Sequence, residues 1–479
     1  MTTLTRARRT LVAAAALVGA AMAAGAHAQT LDRSRRPTVP AAAPFRMPAV
    51  EMRRLSNGIP VAVVQNHQLP IVAVRAVIDA GALQEPPEKA GLAPLTIAML
   101  TEGTTTRTAD QLAEAFADLG NPVTAAGFTT ITRNFDRSVE LMGDLLMHPS
   151  FPEAALARNK ANTAAQLRRL REQPSFLADH VFNAVLFGPA HPYARVATEQ
   201  TVGGITRADL VAFHSDWLRP QNVKLVVVGD VTPDAAVRGL ERVFGAWPAG
   251  GKTASFDVPA ARPAAPTTIY LLDRPNSPQS TVLVGQVGPS RDTPDYYALE
   301  TMNTVFGGLS GSRLNSNLRE RHAFTYGANA GLQWRRVPQV STLRGQSDIV
   351  AAKTDSAIVE WLGELRGIRG ERAVTPAELA FAKDNRTASL PLRFETVTQV
   401  AQEVANLLQS AVPIDFWDSY AQRIGGLSGP DLAAVATKYL DPQQSVIVVV
   451  GDRRVIEPGL RALNLPVQVV DENGAPVAG

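Results

Sequence analysis

The sequence predicts an α+β fold made of two homologous halves, and two observations carry this prediction. Residues 206–230 and 428–452, which lie 222 positions apart, are identical at eleven of 25 positions without a gap. Apolar runs typical of strands are interspersed with helical stretches, without the strict alternation that marks a parallel α/β protein. Because 479 residues exceed one ordinary core, the duplication indicates two domains.

The repeated segment predicts the same local structure in each half. Each copy begins with a helix capped by Thr206 or Ser428 and continues through a turn at Pro220 or Pro442. A buried strand that ends in Val-Val-Val-Gly-Asp follows in both copies. We therefore expect the two halves to share a topology.

The first half opens with two predicted strands, at Val61–Val64 and Ile71–Ile78. Further along, Thr108 and Gln111 form a capping-box pattern. This pattern predicts a helix that ends at Gly120, because glycine readily adopts the left-handed conformation that closes helices.

The second half repeats this scheme. Strands are predicted at Thr267–Leu272 and Ser280–Gly285, and a helix at Tyr296–Val305. Thr375-Pro376-x-Glu378 combines a capping box with proline at the first helical position and predicts another helix.

The N-terminus predicts a secretory signal peptide. Three arginines precede an apolar stretch, Leu11 to Ala24, which is too short to span a bilayer as an anchor, and Ala26-His27-Ala28 is a small-x-small cleavage site. We expect cleavage after Ala28 and export to the periplasm. The predicted organisation is a signal peptide (1–28), a flexible lead-in (29–48), an N-terminal domain (49–247), a Pro-rich linker (248–266) and a C-terminal domain (267–479).

Composition argues against several classes of function. The net charge is +3 and no basic run is interleaved with aromatic residues, so nucleic-acid binding is not expected. The chain has no cysteine and therefore no disulfides. Beyond the signal, no apolar run is long enough to cross a membrane, so stable membrane insertion is not expected.

Residues 90–104 carry the most informative motif, Ala-Gly-Leu-Ala-Pro-Leu-Thr-Ile-Ala-Met-Leu-Thr-Glu-Gly-Thr. The motif resembles the zinc helix of the pitrilysin/insulinase metallopeptidases, in which two His at i and i+4 hold Zn²⁺ and a Glu between them is the general base. Pro94, Ile97 and Ala98 stand at those three places, and none can bind a metal. The resemblance places the family's third ligand, a Glu, on Gln166 of a predicted helix, Arg158–Arg171. No metal site is therefore predicted in this chain.

Two further segments resemble the same family, Phe187-Gly188-x-x-His191-Pro192-Tyr193 and His148-Pro149-Ser150-Phe151-Pro152. The resemblance covers about Leu55 to Asp471. It implies two α+β domains, each a mixed, largely antiparallel sheet with helices packed on it, arranged as a clam shell around a chamber. His67 and His191 fall in predicted turns and form no i, i+4 pair with another His, so both are expected to be structural.

The second half carries a glycine loop followed by an arginine and a tyrosine. Phe306-Gly307-Gly308 leads to Arg319, and Tyr326 follows seven residues later. In the family such a pair reaches across the chamber to the zinc site in the other half-molecule. The resemblance thus implies catalytic roles for Arg319 and Tyr326 and substrate binding at Gly307 and Gly308. The residues alone favour a surface arginine, a tyrosine on a half-buried strand and a flexible connector.

The resemblance also implies a peptide-binding edge strand beside the metal helix. Its counterpart here is Val123–Ala126, so Val123, Thr124 and Ala125 are predicted to bind substrate. Small, weakly polar residues there equally suit an ordinary edge strand.

One branch of the family, which resembles the mitochondrial processing peptidase, divides the work between a zinc-bearing chain and a chain with the Arg/Tyr pair. This sequence resembles the second kind. The first hypothesis is a non-zinc subunit of a heterodimeric metalloendopeptidase, with zinc in a homologous partner, no cofactor in this chain and peptides as substrates. The second is a non-enzymatic scaffold or peptide-binding protein. The third, a zinc-independent peptidase, lacks any supporting nucleophile–base arrangement.

Overall fold

One mixed β-sheet lies in each half of the chain, with helices on both faces of each sheet. A computed structural model describes residues 45–120 and 122–477. The predicted signal peptide and residues 29–44 of the predicted lead-in lie outside the described residues. At the end of that lead-in, the Phe45 ring packs 4.8 Å from the ring of Phe394, so the chain already belongs to the fold there.

The first half contains five strands and eight helices among its described residues. These elements are β1 (Glu51–Arg54), β2 (Pro60–Gln65), β3 (Ile71–Ile78), α1 (Leu92–Met99), α2 (Ala109–Leu119), β4 (Gly127–Ile131), α3 (Phe135–Met147), α4 (Glu153–Arg171), α5 (Pro174–Phe187), α6 (Glu199–Gly203), α7 (Arg207–Trp217), β5 (Val223–Gly229) and α8 (Pro233–Phe244). The strand order is β1-β2-β5-β3-β4. β2 and β5 are parallel, and the other neighbouring pairs are antiparallel.

The second half contains a six-stranded sheet. Its elements are β6 (Thr268–Asp273), β7 (Gln279–Ser290), α9 (Tyr296–Phe306), α10 (Arg313–Asn315), the π-helical turn π1 (Ser316–Arg321), β8 (Thr325–Gln333), β9 (Val340–Val350), α11 (Thr354–Arg366), π2 (Gly367–Glu371), α12 (Pro376–Ala388), α13 (Val397–Ser410), α14 (Tyr420–Gly425), α15 (Gly429–Tyr439), β10 (Val446–Gly451), α16 (Arg453–Arg461) and β11 (Val467–Val470). The strand order is β11-β6-β10-β7-β9-β8. β6 pairs in parallel with β10 and β11, and the remaining pairs are antiparallel.

The internal repeat recurs in the two sheets. β5 lies between parallel β2 and antiparallel β3, and β10 lies between parallel β6 and antiparallel β7. The preceding helices α7 and α15 begin at the predicted caps Thr206 and Ser428, which form capping boxes with Asp209 and Asp431. The predicted α+β class is confirmed.

Alternation along the strands sends apolar side chains to both faces of each sheet. In β2, Val61 and Val63 face a core built with helices of the first half, whereas Ala62 and Val64 face the opposite side. The central strand of the second sheet, β10, likewise buries alternate residues in two different clusters. Each sheet therefore needs cover on two faces.

The second face of each sheet is covered by a helix from the other half. Val400 and Val404 of α13 pack on the Ala62 face of the first sheet. Val181 and Phe182 of α5 pack on the corresponding face of the second sheet. α5 and α13 are equivalent helices, because they begin at residues 174 and 397, close to the spacing of the repeat. We call them the exchanged helices, and they interlock the two halves.

Most element boundaries agree with the sequence prediction, with two informative differences. α4 begins at Glu153, five residues before the predicted start, because Pro152 stops the preceding chain and good helix formers follow it. β7 continues to Ser290 because β9 pairs with it along most of its length. Among the described residues, no helix combines the length and apolar character needed to cross a membrane.

Candidate functional site

Helix α1 carries the motif that resembles a zinc helix. Gly91 caps it with φ of 100°, a left-handed conformation that favours glycine, and the helix begins at Leu92. Pro94 therefore lies in the first turn, where its missing N–H has no intrahelical partner to lose. The helix therefore forms with Pro94 in its sequence and begins one residue before Ala93.

The start of α1 is held by a buried carboxylate that the sequence analysis missed. Glu85, only 6% exposed, accepts hydrogen bonds from the N–H groups of Gly91 at 3.0 Å and Ala93 at 2.6 Å. Burial raises the pKa of the Glu85 carboxyl, and the two N–H groups and the charge of Arg195 oppose that shift. Glu85 thus supplies the acceptor that unpaired N–H groups at a helix start require.

The solvent-facing side of α1 has no group that can bind a metal. Pro94 and Ala98 are exposed and Ile97 is half-buried. Gln166 is exposed on α4, and the Asn159 amide of α4 lies 3.5 Å from Met99 Sδ at the end of α1. Zinc prefers imidazole, thiolate and carboxylate ligands, and these residues offer none, so they do not fit a zinc ion. Across residues 45–120 and 122–477, no three His, Cys, Asp or Glu side chains converge as a metal site.

The two histidines predicted to be structural have structural partners. His191 is buried, and its Nε2 lies 2.9 Å from the carbonyl oxygen of Pro259 in the linker. Its Nδ1 accepts the N–H of Tyr193 at 3.0 Å, which identifies Nε2 as the protonated nitrogen. His67 Nδ1 lies 2.7 Å from Asp230 Oδ1. Both histidines tie chain segments together.

Arg319 and Tyr326 lie in the second half with their side chains available to solvent. Arg319 is on the turn π1, and its side chain is 50% exposed, with Nε 3.4 Å from Glu320 Oε1. Tyr326 is on β8 and is 91% exposed. A π-helical turn often marks a functional segment. No hydrogen bond or ion pair among the described residues joins this pair to α1.

The glycines predicted to bind substrate differ in their surroundings. Gly307 is buried, and its carbonyl accepts the N–H of Ala330 at 2.9 Å. A Cβ at Gly307 would lie 2.6 Å from the Cβ of Ala330, so glycine is needed for close approach of α9 to β8. Gly308 is exposed, and its N–H donates to the carbonyl of Asn303 at 2.7 Å. Of the two, only Gly308 lies at the surface.

The predicted edge strand Val123–Ala126 is not a strand. The N–H and carbonyl groups of Thr124 and Gly127 bond to each other at 3.1 Å, so the chain makes a tight turn there. Val123 and Ala125 point into the core, and Thr124 is exposed. Gly127, with φ of 133°, begins the true edge strand β4. The expected strand was wrong because the regular pairing with β3 begins only at Gly127, where a positive φ lets the chain reverse direction.

β4 presents free backbone groups at the edge of the first sheet. The carbonyl of Ala126 accepts from Ala76 and the N–H of Thr132 donates to Pro70, so even-numbered residues from 126 to 132 bond toward β3. The N–H and carbonyl groups of odd-numbered residues point away from β3. Of these groups, Thr124 hydrogen-bonds only to those of Gly127. Thr129 and Ile131 therefore direct their N–H and carbonyl groups to an edge on which no described strand pairs.

The fold and the motif of α1 define the class of protein as zinc-peptidase-like. Two family models match the chain, "Insulinase (Peptidase family M16)" over residues 60–188 and "Peptidase M16 inactive domain" over residues 204–386. The chain belongs to this insulinase family and is of the processing-peptidase-like type.

Two relatives and one solved structure show how far the similarity extends. The mitochondrial-processing peptidase subunit beta of Blastocladiella emersonii is 23% identical over 438 residues, covering 85% of this chain and 90% of the relative. A Helicobacter pylori protein named "Non-peptidase homolog YmxG" is 24% identical over 381 residues, covering 77% of this chain and 86% of the relative. The crystal structure of a "peptidase M16 inactive domain" from Pseudomonas fluorescens has a TM-score of 0.75 at 25% identity and covers 84% of this chain and 98% of its own. This likeness confirms the two-domain clam-shell fold that the resemblance implied.

Proposed function

We propose that this chain is the non-zinc subunit of a two-chain metalloendopeptidase that acts on peptides in the periplasm. A homologous partner holds the zinc ion and the general base. This chain contributes Arg319, Tyr326 and part of the peptide-binding surface, and needs no cofactor of its own. The relation to a processing-peptidase subunit and the match to an inactive family domain support this division of labour.

The observation that carries the proposal is the contrast between α1 and the Arg/Tyr segment. The α1 positions Pro94, Ile97 and Ala98 have no polar side-chain atom. Arg319 and Tyr326, by comparison, project from structured backbone with their donor groups toward solvent.

The chemistry of the two side chains suits peptide hydrolysis. When water attacks a peptide carbonyl, negative charge develops on the carbonyl oxygen, and the partner's zinc would activate that water. The guanidinium of Arg319 carries five N–H donors and the phenol of Tyr326 one O–H donor. Donors aimed at the developing oxyanion stabilise the transition state more than the ground state.

Peptide binding by strand addition fits β4 of this chain. An extended peptide can pair with the outward N–H and carbonyl groups of Thr129 and Ile131. Val123, Thr124 and Ala125 then lie beside one end of the peptide, where their turn limits how far the added strand can extend.

The test mixes this chain with its zinc-bearing partner and measures peptide hydrolysis. Arg319→Ala and Tyr326→Phe should each lower kcat/KM by about 10²–10³, the range for loss of one oxyanion donor. Their effects should be less than additive, because both groups serve one carbonyl. Arg321→Ala, at an exposed arginine of the same π1 turn, is the matched control and should retain activity. An assembled complex that keeps wild-type kcat/KM in the Arg319→Ala/Tyr326→Phe double variant would remove the catalytic role.

A second candidate is a non-enzymatic scaffold or peptide-binding protein. The name of the Helicobacter pylori relative, a non-peptidase homolog, favours it. A scaffold would bind its partner or peptide without raising hydrolysis, and neither Arg319→Ala nor Tyr326→Phe would change a catalytic rate.

A further inference from the structure

β8 changes its register against β9 at the point where it carries Tyr326. Thr325 pairs with Ile349 and Ala328 pairs with Ser347, so three steps along β8 match two steps along β9. The extra residue makes a β-bulge, and bulges redirect the side chains they carry. Tyr326 and Gly327 therefore leave the regular ladder, and their backbone groups need other partners.

Two buried hydroxyl groups provide partners for Gly327. Thr325 Oγ1 accepts the Gly327 N–H at 3.0 Å and lies 3.0 Å from the Gly327 carbonyl oxygen. Ser347 Oγ lies 2.9 Å from Thr325 Oγ1 and 2.9 Å from the same carbonyl. If Ser347 donates to Thr325 and Thr325 donates to Gly327, both hydroxyl protons and both backbone groups of Gly327 are used.

A buried amide closes the other side of the bulge. Asn315 Oδ1 accepts the N–H of Ala328 at 3.0 Å, and its Nδ2 donates to the carbonyl of Ser310 at 2.5 Å. Asn315 and Ser347 are each 3% exposed. Asn315 thus joins the loop that follows Gly308 to the strand that carries Tyr326.

We infer that Thr325, Ser347 and Asn315 are positioning residues for Tyr326. Their hydrogen bonds hold the two peptide groups that follow Tyr326, and so fix the direction in which its phenol leaves the sheet. The inference rests on the proposed function, because it assigns the phenol a substrate to meet. An apolar side chain at Thr325 or Asn315 would leave backbone groups of the bulge without partners, and an apolar side chain at Ser347 would remove the hydroxyl that holds the Thr325 hydroxyl in place.

The experiment separates this role from a general effect on folding. Thr325→Val and Ser347→Ala remove the hydroxyls, and Thr325→Ser keeps one. Ser280→Ala is the matched control, because Ser280 is a buried serine of the same sheet, on β7, that bonds at 2.6 Å to Thr354 Oγ1 away from the bulge. Each variant is mixed with the zinc-bearing partner, and kcat and KM are measured separately. Hydrogen exchange of the 325–328 amides is measured on the chain alone.

Thr325→Val and Ser347→Ala should lower kcat by about 10–100-fold, the cost of a small misplacement of a catalytic group, with KM nearly unchanged. Thr325→Ser and Ser280→Ala should keep wild-type kcat. Exchange at 325–328 should accelerate about tenfold in the two slow variants, as loss of one hydrogen bond predicts. In a Tyr326→Phe background, Thr325→Val should cause no further loss, because both changes act through one phenol.

The outcomes distinguish this inference from the proposed function. If Thr325→Val keeps the wild-type kcat while Tyr326→Phe lowers it, the positioning role is overturned and the proposed function is not. An equal loss from Thr325→Val with and without Tyr326→Phe would also overturn the positioning role, since the effect would not pass through Tyr326. Unchanged kcat in Tyr326→Phe itself would refute the proposed function and, with it, this inference.

Discussion

At the scale of single residues, Arg319 and Tyr326 keep their donor groups accessible from outside the chain. Arg319 lies near Glu320, but an exposed pair of neighbouring residues at 3.4 Å contributes little stability and is easily exchanged for another partner. Tyr326 places an aromatic ring in solvent, where it contributes little to the core of its own sheet. Both arrangements suit contact with a second molecule.

Gly307 illustrates a residue whose importance is steric. We expect Gly307→Ala to lower the free energy of unfolding by about 1–3 kcal/mol, because the new methyl group would meet the Cβ of Ala330 at 2.6 Å and its backbone nitrogen at 2.9 Å. Urea unfolding measures the change. Gly311→Ala, in the same loop but with nothing within 4 Å of the added methyl, should be nearly neutral. Equal stability of the two variants would show that α9 and β8 can separate without cost.

At this scale the family resemblance predicts which residues matter, but it does not predict what holds them in place. The resemblance points to Arg319 and Tyr326, and their catalytic role stays a prediction. The resemblance carried no sign of the bulge, because a change of register depends on β9, which is distant in the sequence. Glu85 escaped notice because a carboxylate seven residues before the start of a helix forms no recognised capping pattern.

At the scale of elements, an ion pair anchors α12 to α10, just before the turn with Arg319. Glu378 accepts from Arg313 Nε at 2.7 Å and Nη2 at 2.8 Å, and Thr375 also donates to it. Hydrogen bonding by Arg313, with a smaller contribution from Thr375, lowers the pKa of Glu378 to about 2 from its ordinary 4.5. The pair therefore stabilises the fold only while Glu378 is ionised.

This lowered pKa predicts a pH dependence. Between pH 4.5 and 2, Glu378 is protonated in the unfolded chain but ionised in the native chain. The contribution of the pair to the free energy of unfolding is therefore present above pH 4.5 and is lost as the pH falls toward 2. Glu378→Gln should cost about 1–2 kcal/mol in unfolding free energy near pH 7 and progressively less at lower pH. Denaturant unfolding across this range measures the difference. Glu114→Gln, at an exposed position of α2, should show no such trend, and a cost from Glu378→Gln that is independent of pH would contradict the assignment.

The outward edge of β4 gives a second prediction at this scale. Thr129→Pro removes an N–H that points away from β3, so the sheet should keep its ladder, whereas a peptide added at this edge would lose one hydrogen bond. We expect KM of the two-chain enzyme to rise about three- to tenfold, with kcat little changed. Thr130→Pro is the contrasting variant, because it removes a ladder bond to β3 and should destabilise the chain. Unaltered KM in a well-folded Thr129→Pro complex would place the peptide elsewhere.

Local sequence patterns predicted the starts of helices well where the capping partner lies only a few residues away in the sequence. The capping boxes at Thr108, Thr206, Thr375 and Ser428 all form as predicted, because each joins residues three positions apart. The segment Val123–Ala126 was misassigned because strand or turn there depends on whether a neighbouring strand continues the pairing. That information is not local.

At the scale of the whole molecule, the chain is expected to be inactive and metal-free when it is alone. Pro94, Ile97, Ala98 and Gln166 offer zinc no suitable ligand. Metal analysis of the purified chain should find well under one zinc per chain, and peptide hydrolysis should require the partner. One tightly bound zinc per chain, retained after dialysis, would contradict this expectation, and a zinc-bearing homologue treated identically is the positive control.

The internal repeat predicted the equivalence of the two sheets, because duplicated sequence folds to duplicated topology. It did not predict that α5 and α13 cover each other's sheets. An apolar helix face predicts that the helix is buried, but it does not predict which of two similar sheets the helix covers. Which sheet each helix covers depends on the paths of the connecting segments.

The exchanged helices also determine when this chain can finish folding during its synthesis. β5, the last strand of the first sheet to be made, ends at Gly229, but the helix that covers the Ala62 face begins only at Val397. While the ribosome adds the residues between them, that apolar face has only the partial cover that Met47 and Val50 provide. A polypeptide severed between residues 248 and 266 would give two fragments, each missing the helix that the other retains. The two halves therefore reach the native state together.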